Sequence, residues 1–292
     1  MKKLIILLIT FVMLAGCSDR VVNNEPFSDV ADDIKQTPII ISEGSTLVTR
    51  INTPEGFIRT PKEEGSFGGF VRNYKMKDHG SKVFLHNGSE KGTQNAHAAV
   101  FDMSLVEGDL QQCADSVMRM YAEYYFEKGQ YEKIAFHFTD GFLCEYNKWR
   151  DGYRVGFENG KTKWKKTASY DPSYECFEKY LRMVFSYAGT ASMERYESKT
   201  VILLELDIGD IILKGGSPGH VVMVADVCVS EQGEKAFLLA QGYMPAQEFH
   251  VLNNPLHTDD PWYYESEMDF PLKTPEYVFD DINTIKKLSY KG

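Results

Sequence analysis

Between Asp109 and Gly129 apolar residues recur at three- and four-residue steps, through Leu110, Cys113, Val117, Met120, Tyr121 and Tyr124. That spacing gives an α-helix one apolar face, with Asp109 as its expected N-cap and Gly129 as its stop. A second helix is predicted from Ser173, carrying Phe177, Tyr180, Leu181, Val184 and Phe185 on one side, and a shorter one over 145–151. Short apolar runs bounded by glycine or polar turns predict strands over 82–86, 96–103, 134–138, 221–229 and 236–240. The turn Asp207-Ile208-Gly209-Asp210 leads into a further strand at Ile211, and the Lys- and Gly-rich stretch 159–166 reads as a polar loop. Strands at the start, helices in the middle and an antiparallel sheet at the C-terminal end describe an α+β chain and not alternating βαβ units.

The first residues change the setting. Met1-Lys2-Lys3 precedes an apolar run over 4–14, followed by Leu14-Ala15-Gly16-Cys17. A charged start, a short apolar core and a small-residue site have the form of a secretory signal peptide. The run is shorter than the ~20 residues a membrane-spanning helix needs. Leu-Ala-Gly-Cys resembles the bacterial lipobox, which implies that Cys17 is lipidated and anchors the chain to a membrane. The expected organisation is a signal and lipidated Cys at 1–17, a polar acidic tether at 18–45, and a single globular domain at 46–292. The expected location is the cell envelope, as an outer-membrane lipoprotein facing periplasm or cell surface.

The formal charge is −10, and removal of Lys2 and Lys3 with the leader takes it to −12. Such a balance disfavours a nucleic-acid partner and a polybasic grip on lipid, both of which need clustered Lys and Arg. Beyond Cys17 stand Cys113, Cys144, Cys176 and Cys228. Their spacing matches neither a zinc site nor a regular disulfide framework, and up to two disulfides fit an oxidising compartment. Metalloprotease, phosphate-loop and Gly-x-Ser-x-Gly motifs are all missing from the text, so neither metal nor cofactor is expected. His79, His86, His97, His137, His250 and His257 show no ligand spacing and receive no role.

Chemistry concentrates near the C-terminal end, in Gly209-Asp210-Ile211-Ile212-Leu213-Lys214-Gly215-Gly216-Ser217-Pro218-Gly219-His220-Val221. Glycine at 219 permits a close approach, and His220 at a strand end projects a base into a cleft. A regular hairpin turning within 230–235 would set Gln241 beside His220, where it could fix the ring. This stretch resembles the NlpC and CHAP papain-like cysteine hydrolases, over roughly 207–245. The resemblance implies a papain-like core with N-terminal strands and a helical insertion, His220 as general base, Gln241 as its orienting partner, and a nucleophilic cysteine at a helix N-terminus that lowers its pKa. Cys113 is the first choice, with Gln112 or Gln111 and backbone N–H groups at the oxyanion; Cys176 is the second, opposed by Glu175 and Glu178.

A broader resemblance runs through Asp109-Leu110-Gln111-Gln112-Cys113-Ala114-Asp115, Phe138-Thr139-Asp140-Gly141-Phe142, Val184-Phe185-Ser186-Tyr187-Ala188-Gly189-Thr190 and Ala240-Gln241-Gly242-Tyr243-Met244-Pro245-Ala246-Gln247. It is similar to an uncharacterised lipoprotein family of gut Bacteroidota, of the domain-of-unknown-function 4846 type, which lends no mechanism. Two readings stand side by side. One is a membrane-anchored cysteine amidase or peptidase acting on cell-wall peptide. The other is a non-catalytic lipoprotein binding glycan or peptide, with Cys113 in the core and Tyr243 to Gln247 or Pro261 to Tyr264 lining a groove. A structural partner of an envelope assembly is a third.

Overall fold

The computed structural model describes residues 37–291. The expected signal peptide, Cys17 and most of the tether lie outside the described residues. One compact unit spans Pro38–Gly292, so it opens ahead of the start expected at 46. The reason is local pairing: Ile41 N–H donates to Arg50 O at 2.8 Å and Asn52 N–H to Ile39 O at 2.7 Å, which ties the Ile39-Ile40-Ile41 run to the body. No helix among the described residues is long and apolar enough to cross a membrane.

Proline and glycine keep the first elements short: α1 (Leu47–Arg50), β1 (Phe57–Arg59), α2 (Phe67–Asn73) and β2 (His97–Val100). The strand expected over 82–86 is reduced to single bridges at Phe84 and Leu85. The middle of the chain holds α3 (Cys113–Glu127), a hairpin of β3 (Ala135–His137) and β4 (Leu143–Glu145), α4 (Tyr146–Arg150), a hairpin of β5 (Tyr153–Glu158) and β6 (Lys161–Lys166), α5 (Tyr174–Tyr187) and α6 (Thr190–Tyr196). The second hairpin corrects the loop expected over 159–166. Asn159 and Gly160 between its strands have φ of 52° and 71°, the two-residue turn whose twist suits paired strands. The Asn159-Gly160 pair is the local signal for this turn.

The last part is mostly strand: β7 (Ser198–Thr200), β8 (Ile211–Lys214), β9 (His220–Ser230), β10 (Lys235–Gln241), β11 (His250–Leu252), β12 (Trp262–Tyr264), β13 (Leu272–Lys273), β14 (Val278–Phe279) and β15 (Ile285–Leu288). The main sheet runs β2-β11-β10-β9-β8-β15-β7, with β1 also on β9 and β12 also on β10. Its pairings are antiparallel, as an α+β chain predicts. The long β9–β10 hairpin is its spine, and each strand takes two shorter strands in series along its outer edge. The register shifts between Leu238 and Leu239, where the outer partner of β10 changes from β12 to β11.

Both spine strands are buried along almost their whole length, which is why they read as continuous apolar runs. Helix α3 packs on them: Tyr121 stacks on Phe67 at 3.9 Å and donates its hydroxyl to Gly209 O at 2.9 Å. Gly209 has φ +88°, and an added Cβ would stand 2.2 Å from that hydroxyl, so only glycine admits this contact.

Glu197, at the end of α6, is 3% exposed. Its carboxylate accepts from His137 N–H at 2.6 Å and from the Tyr290 hydroxyl. Burial pushes it up to about 8, from an ordinary value of 4.5. Between those values the folded chain keeps a proton that the unfolded chain has released, so stability falls as pH rises through this window. The slope is at most ~1.4 kcal/mol per pH unit for one group. Urea midpoints measured from pH 5 to 8.5 are expected to decline in the native chain and to decline less in Glu197→Gln; parallel curves would refute the assignment.

Candidate active site

Helix α3 begins later than its apolar stripe suggested, with Gln112 and not Asp109 as N-cap. The Asp109 carboxylate is engaged elsewhere, accepting from Ala246 N–H at 2.6 Å and from Gln112 Nε2 at 3.3 Å. Asp115 takes the Gln112 N–H at 3.0 Å, closing the first turn from inside the helix. Cys113 therefore occupies the first helical position, where backbone N–H groups lack intrahelical partners. Its sulfur faces its own N–H and those of Ala114 and Val221. The helix can come this close because Gly242 follows β10: a Cβ there would meet Ser116 Oγ at 2.5 Å and Gln112 O at 2.8 Å.

His220 is the first residue of β9 and is 2% exposed; Gln241 is the last of β10 and is fully buried. The imidazole Nε2 lies 2.7 Å from Gln241 Oε1. The geometry of that contact corrects the expected register. Ala240 pairs with Met223, so Gln241 stands opposite Val222 and reaches His220 as a diagonal neighbour on the same face, within reach for a long side chain. Gly219 makes the turn into β9 tight: a Cβ would stand 2.5 Å from both Gly216 O and Thr190 Oγ1.

Aromatic rings enclose the imidazole. Tyr243 and Tyr277 each lie 4.8 Å from it by ring centroid, and Phe279 stacks at 6.0 Å. Burial first, then Glu276 for Tyr243 and Asp280 for Tyr277, raises the hydroxyls of these two tyrosines. The thiol faces the N–H of Val221, the residue that follows His220 at the start of β9. Among the described residues no hydrogen bond joins thiol and imidazole, and His220 Nδ1 makes none.

The electrostatics differ from the expected thiolate. Burial, reinforced by Asp115, pushes the Cys113 thiol up to about 11 against the three N–H groups. Burial likewise pushes Asp115 up to about 8 and lowers His220 to about 4, against the Gln241 hydrogen bond. At neutral pH the pair rests as thiol and imidazole, since desolvation of either charge outweighs the helix N-terminus. Such a pair suits general-base deprotonation during attack and not a standing ion pair.

The other expected residues separate. Gln112 is partly exposed at the helix start with its amide on Asp109. Gln111 points away: its Oε1 accepts from Arg119 Nη1 at 2.8 Å and Val106 N–H at 3.2 Å. Cys176 is 1% exposed in the core, where its carbonyl accepts Trp149 Nε1–H at 3.1 Å and burial raises its thiol, which does not suit the second-choice nucleophile. The four described cysteines are free, and the two disulfides allowed for are not formed. Trp262 and Tyr263, weighed as groove residues, are buried, with their polar tips on Asn52 O and Asn253 O. Groups of acidic, His and Cys residues able to hold a metal do not occur among the described residues.

Sequence reasoning missed the polar chain behind Gln241. Its Nε2 donates to Glu276 Oε2 at 2.8 Å, which also accepts the Lys91 ammonium and lies 3.8 Å from His250 Nε2. Lys91 and Glu276 are 185 positions apart, and no spacing rule links them.

Residues 47–286 match the model of a family described as a domain of unknown function (4846). The match covers most of the chain, which belongs to this family. No curated protein matches the chain. No solved structure matches it either.

Proposed function

We propose that this member of the domain-of-unknown-function 4846 family is a cysteine amidase or peptidase with a papain-like core, tethered to the cell envelope through Cys17 and acting on cell-wall peptide. The observation that carries it is the His220–Gln241 hydrogen bond one residue before Val221, whose N–H faces the thiol of a cysteine at a helix N-terminus. In this scheme Cys113 attacks the carbonyl and His220 Nδ1 takes its proton. Gln241 holds Nε2–H, and the N–H groups of Cys113 and Ala114, which already face the sulfur, stabilise the oxyanion. The proton then passes from His220 to the leaving amine as the C–N bond breaks, and a water molecule, giving a proton to His220, hydrolyses the thioester to release the acid and restore the thiol. The leader and the lipobox-like Cys17 support the envelope setting, and the Bacteroidota lipoprotein resemblance supports its source.

The test is incubation of the full-length chain with cell-wall peptide, reading newly freed amino groups. Release is expected from the native chain and not from Cys113→Ser. Equal release by both, or none by either, would overturn the hydrolase and favour the alternative, a non-catalytic binder of glycan or peptide. Burial of His220 and a thiol held near 11 are the observations on that side.

A further inference from the structure

We propose that Glu276 is a positioning residue that sets the tautomer of His220 through Gln241, holding the lone pair on Nδ1. The inference rests on the reading of His220 as the base. Its physical core is the polarity of a hydrogen-bond chain that begins at an ion pair. Lys91 and Glu276 are paired with side chains 7% and 13% exposed, so water does little to weaken their hold. A carboxylate facing an ammonium has no hydrogen to give and can only accept. The amide group 2.8 Å away must therefore turn its NH₂ toward Glu276. That choice leaves the Gln241 oxygen, not the nitrogen, 2.7 Å from His220 Nε2. An oxygen there requires Nε2 to carry the proton, and the neutral ring then has its lone pair on Nδ1.

Flipping the Gln241 amide would set its oxygen against the Glu276 carboxylate and its NH₂ against Nε2, forcing the proton to Nδ1 and removing the base. Nothing in Gln241 itself prevents that flip, because its two ends are nearly the same shape. The asymmetry comes from Glu276, on the connection between β13 and β14, and from Lys91 ahead of β2. His250 Nε2, at 3.8 Å from the same oxygen, is too far to share the hydrogen bond.

Two-bond proton–nitrogen spectra of the full-length chain in detergent, ¹⁵N-labelled at histidine and recorded at pH 7, read the tautomer without substrate. The native chain is expected to show His220 as one tautomer, protonated at Nε2. Glu276→Gln can present either end of an amide, and is expected to give a mixture of both tautomers, with Cys113 acylation falling in proportion. Lys91→Met is expected to act likewise, because a buried carboxylate without its cation takes up a proton and becomes a donor; it serves if the first variant does not fold. A single Nε2–H tautomer persisting in either folded variant overturns the proposal. A tautomer that switches while native Cys113 resists acylation overturns the hydrolase reading and leaves the positioning role standing.

Discussion

His220→Ala is expected to slow acylation of Cys113 by an activated acyl probe ~10²–10⁴-fold, the usual contribution of a positioned base. The loss should be large because the thiol, held near 11 by burial, offers almost no thiolate at pH 7 without a base to receive its proton. The pH dependence follows from the same values. The base works when neutral, so the native rate should rise through about 4 as His220 loses its proton and then stay level across neutrality. In His220→Ala the rate should instead climb tenfold per pH unit toward the thiol value. Mass spectrometry locating the acyl group, with rates taken from pH 3 to 10, reads both. A variant as fast as the native chain at pH 7 would remove His220 from the chemistry.

Asp226→Ala is expected to destabilise the chain by ~3–5 kcal/mol, the cost of leaving buried charge without its partner. Asp226 is fully buried within β9. Its carboxylate accepts from Arg59 Nε at 2.6 Å, from Arg72 Nε at 2.7 Å and from Val227 N–H at 2.8 Å. These bonds fasten β1 and α2 to the middle of the spine strand. Arg59 and Arg72 side chains are 19% and 10% exposed, so neither guanidinium regains full hydration when the carboxylate goes. Urea unfolding should show the midpoint falling without a change in slope. Replacing all three residues together, as Asp226→Leu with Arg59→Met and Arg72→Met, should recover much of the loss, since an apolar trio leaves no orphaned charge. A triple variant as unstable as Asp226→Ala would show that geometry, not charge, is what the cluster supplies.

What could be read in the text depended on how local the signal was. The apolar stripe from Leu110 to Tyr124 specified α3, yet its N-terminus moved from Asp109 to Gln112. Asp109 has a tertiary customer, the Ala246 N–H, that no helix rule contains. The same kind of rule set Gln241 opposite His220, whereas the turn pairs Lys235 with Val229, three positions off that register, and the shift at Leu238 then brings Gln241 opposite Val222, diagonal to His220 on the same face. Contact survived because a glutamine is long enough to span the difference.

By itself the sequence determined the α+β order of elements, the long buried hairpin, the start of α5 near Ser173 and the approach of Gln241 to His220. Those follow from periodicity, turn chemistry and capping, which act over a few residues. Only the tertiary structure decided that the Cys113 thiol and His220 both rest uncharged, because desolvation depends on everything packed around a group. It alone brought Lys91 and Glu276 behind Gln241 and fastened Asp226 between two arginines, because pairings across such separations are set by how the sheet closes and not by any pattern along the chain.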